Sequence, residues 1–308
     1  MEFTYNIPTK DNGREIMRIL NTEFKMSRQM IKRLKFNGRV ELNGSHVTVR
    51  QRVNEGDILY IALEETCGQI THPDGIDFYC ENDWYLVCNK PAGIVTHPTH
   101  GHLDDSLLTM LSDGTLHPVI RLDRETSGLI LIAKNGYAHN TLSEFGDLHK
   151  KYLAACYGHF DNTSGTIDKP IARRPGSVMI RDVDPDGKRS VTHYRVIHYD
   201  DINNISLVEF TLETGRCHQI RVHSRYLGHP LVGDGLYGPN SIDNPSEAFP
   251  NAVILDRKAG RCCLHAYHLS FNDPFNNNKI DISSPLPGDI KDLFCNTELV
   301  DEVLGQIY

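Results

Sequence analysis

The chain has 308 residues, which is long enough for two domains and a sizeable core. It contains no apolar run approaching the ~18 residues that span a bilayer, which argues against a membrane protein. The eight cysteines form no Cys-x-x-Cys pair and the N-terminus lacks the features of a signal peptide, so we expect a cytoplasmic protein without a disulfide framework.

Charge is unevenly distributed along the chain. The net charge of −8 disfavours nucleic-acid binding by the surface as a whole, because such binding depends on positive charge. The first 60 residues nevertheless hold 11 Lys and Arg against 7 Asp and Glu, a net of +4, whereas the remainder has a net of −12. The positive charge is concentrated from Lys25 to Arg39, where six basic residues occur with no acidic one.

Residues 28–39 predict a basic helix. Ser27 is a typical N-cap before it, and Met30, Ile31 and Leu34 supply an apolar face. If the helix extends to residue 39, four cations form one stripe, and they are Arg28, Lys32, Lys35 and Arg39. Such a stripe is either a solvated surface, which is the commoner case, or a set of RNA phosphate contacts, and the lack of compensating acidic residues is one observation in favour of phosphate contacts.

A hairpin and two further strands are predicted after this helix. Residues 38–44 read as a strand that enters an Asn-Gly turn, and strands follow at residues 47–49 and 58–61. The pattern resembles the small RNA-binding domain first described in a protein of the ribosomal small subunit. We therefore predict an RNA-binding module over residues 1–64, a linker over residues 65–76 and a catalytic domain over residues 77–308.

The second domain mixes strands and helices without regular alternation. Strands are predicted at residues 84–89, 129–133, 151–157, 190–198, 204–212 and 264–271, and helices near 137–146 and 217–227. This order predicts an α+β fold with a mixed, largely antiparallel central sheet, flanking helices and catalytic loops. A short acidic helix is expected within residues 293–304.

The most informative segment is the octet of residues 121–128, RLDRETSG. Arg121 and Arg124 flank Asp123, and nearby positive charge favours the ionised carboxylate. The apolar run at residues 129–133 predicts a buried strand that would hold the Asp123 loop rigid. An isolated aspartate of this kind is more often a turn cap, so its function depends on the surrounding pattern.

The octet resembles the active-site motif of the RluA-type pseudouridine synthases, which isomerise uridine in RNA. Further segments resemble motifs of that family in the same order, and they are Asn89–Gly93 with His97-Pro98, Lys151–Ala154, Gly187-Lys188 with Thr192–Tyr194, Gly215–His223, Gly228–Asp234 and Leu264–Ala266. One departure is Ile120, which stands where many members have a histidine immediately before the Arg-Leu-Asp. Because the charged residues remain, we interpret this as a subgroup difference.

The resemblance implies an isomerase that detaches uracil from its ribose, rotates it and rejoins it through a ring carbon. It implies that Asp123 acts at the anomeric carbon, by covalent attack or by removing a proton from the sugar. It also implies that Tyr152 stacks on the uracil and transfers a proton, and that Arg221 orients Asp123 through an ion pair. Without the resemblance, a core tyrosine and a surface arginine would be the default interpretations.

Substrate contacts are also implied by the resemblance. Arg121 is expected to fill the gap that the flipped uridine leaves in the RNA. Other substrate or phosphate contacts are expected from Lys90, Arg124, Lys188, Arg189, Arg216 and His218. The expected partner is RNA, ribosomal RNA of the large subunit in the first place and transfer RNA as the competitor. We expect a monomer with no cofactor, no metal and no obligate protein partner.

Three alternatives stay open at this point. Residues 97–102 contain three histidines, which suggests a metal site, although no matching cysteine or carboxylate pattern accompanies them. An RNA N-glycosidase could use Asp104 or Asp105 as a second carboxylate. An RNA-binding or ribosome assembly factor with an inactive site is the non-enzymatic alternative, and the joint presence of Asp123, Tyr152 and Arg221 argues against it.

Overall fold

The computed structural model describes residues 2–63, 67–99, 101–241 and 247–307. Predicted linker residues 65 and 66, and His100 of the histidine-rich segment, lie outside the described residues. Within the described ranges, no helix combines the length and the apolar character needed to cross a membrane.

The N-terminal part is a four-stranded antiparallel sheet accompanied by two helices. Its elements are β1 (Glu2–Asn6), α1 (Ile16–Thr22), α2 (Arg28–Asn37), β2 (Gly38–Leu42), β3 (Ser45–His46) and β4 (Ile58–Leu63), with the strands in the order β1-β4-β2-β3. Ser27 caps α2 as predicted, because its hydroxyl accepts a hydrogen bond from the Met30 amide at 3.2 Å. The predicted hairpin turn is also present, with Asn43 and Gly44 at φ values of 54° and 79°.

The basic helix ends earlier than a four-residue stripe requires. Helix α2 stops at Asn37, and the chain turns at Gly38 into β2, whose backbone pairs with β4. Arg39 therefore lies on a strand, with its guanidinium 4.8 Å from the centre of the Tyr60 ring and 3.4 Å from the Glu41 carboxylate. The prediction that Arg39 shares the helical stripe is wrong, because strand pairing takes precedence over continuation of the helix. The strand predicted at residues 47–49 is likewise not formed.

The remainder of the described chain is built around one large sheet. Its elements are β5 (Phe78–Glu81), β6 (Tyr85–Lys90), α3 (Leu107–Leu111), β7 (His117–Pro118), β8 (Ser127–Ala133), α4 (Gly136–Phe145), β9 (His149–Tyr157), β10 (Ser164–Asp168), β11 (Ile171–Arg173), β12 (Arg181–Val183), β13 (Val191–Asp200), β14 (Ile205–Leu212), α5 (Gln219–Tyr226), α6 (Ala252–Ala259), β15 (Leu264–Asn272), β16 (Lys279–Ser283), α7 (Gly288–Lys291) and α8 (Thr297–Leu304).

The sheet is mixed and largely antiparallel, as predicted. Its strands run in the order β10-β13-β14-β9-β15-β8-β6-β5, with β16 beside β15 and β7 beside β8, while β11 and β12 form a separate hairpin. Among the pairings between described strands, β8 with β15 is parallel and the others are antiparallel. The α+β fold class is therefore confirmed. The predicted strands and helices of this part all form within a few residues of their expected bounds, and α8 corresponds to the expected acidic helix.

Strand β8 lies inside the large sheet, between β15 and β6, and supports the Asp123 loop. All seven of its residues are buried, because β6 and β15 flank it and both faces of the sheet are covered. Gly128 has a φ of 121°, and a Cβ atom there would lie 2.3 Å from the Ala266 carbonyl oxygen. Only glycine permits this close approach of β8 to β15. The loop that ends at residue 126 is consequently anchored at a tightly packed point.

Residues 67–71, within the predicted linker, are hydrogen-bonded to α3 and to the segment that follows it. The Asp113 carboxylate accepts a hydrogen bond from the Gln69 amide at 3.0 Å, and the Thr71 hydroxyl donates to the Met110 carbonyl at 2.7 Å. The Cys67 carbonyl accepts a hydrogen bond from Ser112. The domain boundaries themselves stay a prediction.

Candidate active site

The loop before β8 holds Asp123 by hydrogen bonds to both of its neighbours. Thr96 donates its hydroxyl proton to the Leu122 carbonyl at 2.8 Å, and its oxygen accepts from the Leu122 amide at 3.2 Å. Arg124 exchanges hydrogen bonds with Gly93, whose carbonyl accepts from Arg124 Nε at 3.0 Å and whose amide donates to the Arg124 carbonyl at 2.8 Å. The Asp123 side chain retains 30% of its accessible surface, so its carboxylate can meet a substrate.

Lys90 supports this loop from inside the protein. Its side chain is fully buried, and its Nζ donates to the carbonyls of Pro91 and Ile94 at 2.8 Å and of Arg124 at 3.2 Å. Burial lowers the pKa of Lys90 to about 7, against the opposing effect of the Asp123 carboxylate. The prediction that Lys90 contacts RNA phosphate is wrong, because the ammonium group is enclosed and its donors are occupied by carbonyl oxygens of the chain itself.

Arg221 on α5 lies between two carboxylates. Its Nε and Nη2 donate to the two oxygens of Asp234 at 2.7 and 2.6 Å, and its Nη1 is 3.6 Å from Oδ2 of Asp123. Burial lowers the pKa of Arg221, but the hydrogen bonds that it donates to Asp234 and the attraction of the nearby carboxylates together outweigh burial and raise the pKa, so the guanidinium stays charged. The structure thus places Arg221 beside Asp123 as predicted, but its main partner is Asp234. The role of Arg221 in orienting Asp123 stays a prediction.

His218 is a second nitrogen group near Asp123. Its Nε2 is 3.9 Å from Oδ2 of Asp123, and its Nδ1 lies 2.8 Å from the Tyr237 hydroxyl. That hydroxyl accepts a hydrogen bond from the Arg181 amide at 3.0 Å, so its own proton is directed to Nδ1 and the proton of the neutral ring is on Nε2. Burial lowers the pKa of His218, with the Asp123 charge opposing, and favours the neutral ring. His218 therefore presents an N–H donor towards Asp123.

Asp123 and Tyr152 face a common cavity. The inner cavity has a volume of about 60 Å³ and adjoins a cleft of about 610 Å³. Both are lined by Arg121, Leu122, Asp123, Tyr152, Leu212 and Arg216. Tyr152 on β9 is 6% exposed, and burial, followed by the Asp123 charge, raises its pKa above the ordinary value. Its hydroxyl is therefore protonated at neutral pH.

The other predicted contact residues are placed differently. Arg124 lines the wider cleft, together with Arg121 and Arg216. Lys188 and Arg189 are exposed, and neither is among the described residues that line the two cavities. Arg189 instead contacts the Glu213 carboxylate at 3.3 Å. The structure therefore groups three of the predicted cations around Asp123 and leaves Lys188 and Arg189 outside this group.

The described residues give no support to the metal-site hypothesis or to the N-glycosidase hypothesis. Among the described residues, no three His, Cys, Asp or Glu side chains are grouped so that they could hold a metal ion, and His100 lies outside them. His102 instead contacts the Asp105 carboxylate at 2.7 Å. Neither Asp104 nor Asp105 is among the described residues that line the cavities.

Sequence reasoning missed two residues that complete the site. Asp234 holds Arg221, and Tyr237 fixes the proton position on His218 while its ring lies 5.1 Å from the Arg221 guanidinium carbon. Asp234 closes the Gly228–Asp234 motif, so an acidic residue at the end of a recognised motif was an available signal. Tyr237 is an ordinary tyrosine in a loop and carried no such signal.

Comparison with known proteins identifies relatives along most of the chain. Residues 84–226 match the RNA pseudouridylate synthase family, and residues 3–59 match the family described as RluD ribosomal pseudouridine synthase N-terminal domain. A Bacillus subtilis protein described as an uncharacterized RNA pseudouridine synthase is 36% identical, covering 88% of this chain and 95% of the relative. The ribosomal large subunit pseudouridine synthase D of Vibrio vulnificus is 33% identical, covering 87% of this chain and 85% of that protein.

Solved structures show the same fold. The human protein described as RNA pseudouridylate synthase domain containing 1 aligns with a TM-score of 0.55 and 23% identity, covering 76% of this chain and 98% of that chain.

Asp234→Asn is expected to lower the free energy of unfolding by about 3 kcal/mol, because a buried guanidinium loses its anion. Asp182→Asn is the matched control, since the Arg174–Asp182 pair is partly exposed and its loss should cost less than about 1 kcal/mol. Urea denaturation measures both values.

The pH dependence of unfolding gives a second measurement. Burial raises the pKa of Asp234, but the hydrogen bonds and charge of Arg221, together with the amides of Leu236 and Tyr237, outweigh burial and hold the pKa below the ordinary 3.8. Asp234 therefore binds a proton more readily in the unfolded chain than in the folded protein. The stabilisation by the Arg221–Asp234 pair is present above pH 3.8 and is lost as the pH falls through the pKa of Asp234 in the folded protein. Asp234→Asn should lack this dependence, and a variant as stable as the wild-type protein at pH 7 would contradict the structural role of the pair.

Proposed function

Because the chain belongs to the RNA pseudouridine synthase family, whose members are isomerases, we propose that it converts specific uridines of large-subunit ribosomal RNA to pseudouridine in the Asp123 cavity. The arrangement of Asp123 beside Arg221 and opposite Tyr152 in one small cavity carries this proposal. The ribosomal target is supported by the names of the relatives in Vibrio vulnificus and of the family that matches residues 3–59.

In the proposed reaction Asp123 acts at the ribose. Its carboxylate attacks the anomeric carbon, or removes a proton from the sugar, as the bond to the uracil nitrogen breaks. A charge pair at ~4 Å and an effective dielectric near 20 interacts by about 4 kcal/mol before desolvation, so Arg221 attracts the Asp123 carboxylate and holds its position. Asp234 neutralises Arg221 at the same time. The three groups together keep one net negative charge, which leaves Asp123 available for reaction.

Tyr152 and the apolar walls are proposed to retain the detached base. The ring of Tyr152 offers a flat surface on which uracil stacks, and Leu212 and Leu264 line the cavity beside it. Retention is essential because the base must rotate and form a bond through carbon five instead of diffusing away. The protonated Tyr152 hydroxyl can accept the proton of carbon five only while passing its own proton onward, and the Asp123 carboxylate is the candidate acceptor.

The flipped uridine requires contacts that hold the rest of the RNA. The cleft is lined by three arginines, Arg121, Arg124 and Arg216. We propose that they bind RNA phosphates or fill the gap that the flipped uridine leaves in the base stack. A second basic surface lies on the N-terminal part, where a groove of about 590 Å³ is lined by Arg14, Met17, Arg18, Asn21, Thr22, Arg28 and Ile31. We propose that this groove and the exposed cations of α2 form the RNA-binding face of a module spanning residues 1–64, with residues 77–308 as the catalytic domain.

The target is tested by mapping pseudouridines across all RNA of cells that lack the protein. We expect one or a few sites in large-subunit ribosomal RNA to revert to uridine, and a plasmid copy of the wild-type gene to restore them. Loss of sites in transfer RNA alone would refute the ribosomal target while leaving the reaction in place. Unchanged maps would refute the proposed function.

Asp123→Asn is expected to abolish isomerisation while the protein stays folded and binds RNA. The amide keeps the size of the side chain but removes the charge, so release of tritium from carbon five of labelled uridine should fall by a factor on the order of 10³ or more. Turnover within about tenfold of the wild-type rate would remove Asp123 from its proposed role.

Tyr152→Phe separates stacking from proton transfer. The ring remains while the hydroxyl is lost, so we expect RNA binding within about twofold of wild type and a reaction that stalls after the glycosidic bond breaks. The measurement is tritium release together with chromatography of the digested RNA. A fully active Tyr152→Phe protein would reduce this residue to a packing role.

The triple variant Arg28→Gln, Lys32→Gln, Lys35→Gln tests the basic helix. Each lost phosphate contact should take about 0.9 from the slope of log affinity against log salt, so the slope should fall by about 2–3 in total. Arg39→Gln is the matched control, because Arg39 is also exposed but lies on β2 beside Glu41. An unchanged slope in the triple variant would show that α2 is only a solvated surface.

A further inference from the structure

An aromatic cluster joins the four-stranded N-terminal sheet to the large sheet. The Phe3 ring on β1 lies 5.3 Å from the Tyr137 ring and 6.5 Å from the Trp84 ring, measured between ring centres. Trp84 stacks on Phe275 at 4.6 Å, and the Phe24 ring lies 5.2 Å from the Phe3 ring. Tyr137 is 8% exposed and is part of the N-terminal hydrophobic core. We call these five residues the aromatic clamp.

The catalytic side of the aromatic clamp is held rigidly. Asn82 accepts hydrogen bonds from the amides of Trp84 and Tyr85 at 2.8 and 2.9 Å. Asp273 accepts from the Phe275 amide at 2.8 Å and from the Tyr85 hydroxyl at 2.9 Å. The aromatic surface that receives Phe3 is therefore preformed by turns at the end of the sheet.

Polar contacts reinforce the same interface. Asn140 on α4 donates to the Lys25 carbonyl at 3.0 Å, and the Lys25 ammonium lies 5.4 Å from the centre of the Phe145 ring. Helix α4 thus contacts the N-terminal part through Tyr137, Asn140 and Phe145. It also contributes His139 and Ser143 to the cleft that contains Asp123. One helix therefore connects the N-terminal module directly to the substrate cleft.

This interface fixes the distance between the N-terminal module and the loop that carries Asp123. Tyr85 pairs with Ala133 at one end of β8, and Asp123 precedes the other end at Ser127. Seven residues at ~3.3 Å each place the aromatic clamp roughly 20 Å from the catalytic loop. A rigid contact at this point fixes the separation between the cations of α2 and the cavity. A module connected only by a flexible segment would sample many separations.

We propose that the aromatic clamp determines target specificity: it holds the RNA-binding module at a fixed distance from Asp123, so that only a uridine at the matching distance from the RNA element bound by α2 enters the cavity. The proposal rests on the proposed function, because it assumes that the module binds RNA. It predicts that the clamp can be broken without loss of chemistry but with loss of site selection.

Phe3→Ala tests the contact itself without any RNA. Trp84 is the single tryptophan of the chain, so intrinsic fluorescence reports its environment directly. Phe3→Ala should shift the emission to longer wavelength as water reaches Trp84. Ile58→Ala is the matched control, because Ile58 is a 47% exposed apolar residue of the same sheet outside the cluster, and its emission should be unchanged. Identical emission in Phe3→Ala and wild type would overturn the docked arrangement.

Site selection is measured by pseudouridine mapping in cells whose only copy carries Phe3→Ala. The ratio of modification at the wild-type site to modification at other uridines should fall by at least about tenfold, whereas turnover of a short RNA at saturating concentration should change less than about threefold. Exposed Trp84 with an unchanged ratio would overturn the proposal. If wild-type protein modifies no RNA at all, the proposed function fails, and the fluorescence result still stands by itself.

A second variant keeps the test valid if Phe3→Ala does not fold. About ten Gly and Ser residues inserted after Leu63 lengthen the connection and leave the aromatic clamp in place. Wild-type site selection should survive this insertion within about twofold, because the clamp and not the connecting segment sets the distance. An insertion that alone lowers the selection ratio tenfold would show that the connecting segment sets the distance, and would overturn the proposal.

Discussion

The central constraint on this molecule is a buried guanidinium held between two carboxylates. Taking Arg221 out of water is costly unless its donors are matched, and the bidentate contact with Asp234 supplies that match. Because Asp234 occupies Nε and Nη2, the free Nη1 is directed towards Asp123. The position of the Asp123 carboxylate is thus tied to a pair that cannot move without exposing a charge to an apolar interior.

Several features of the chain serve this arrangement. Gly128 lets β8 approach β15, Lys90 binds the carbonyl of Arg124 from below, and Thr96 bonds the backbone of Leu122. The neutral His218 adds an N–H donor on the other side. Rigid elements therefore surround a carboxylate that itself stays partly exposed. Preorganisation of this kind lets a site act on developing charge without rearranging during the reaction.

The sequence was sufficient for the fold class, the order of the main strands and helices, and the grouping of Asp123 with Tyr152 and Arg221, because long apolar runs and motif order are local signals. Short, half-exposed strands such as β5 and β16 have weak patterns and were missed. Lys90 was misplaced because sequence does not show that a lysine beside a strand end has carbonyl partners. Arg39 was misplaced because strand pairing with β4, a tertiary contact, ended α2 at Asn37. The Asp234 contact depends on a tertiary pairing, which periodicity cannot reveal.

The separation of charge along the chain makes the protein an electric dipole. The cations of α2 lie in the first 60 residues, which have a net charge of +4, and the remainder of the chain, which contains the large sheet, has a net charge of −12. The field of a polyanion orients such a molecule before contact, so that its basic N-terminal part faces the polyanion. The acidic remainder of its surface is repelled. Orientation during diffusion thereby removes many unproductive encounters. Added salt should slow association more than it speeds dissociation, since the guiding field extends only over a Debye length, about 8 Å at physiological ionic strength.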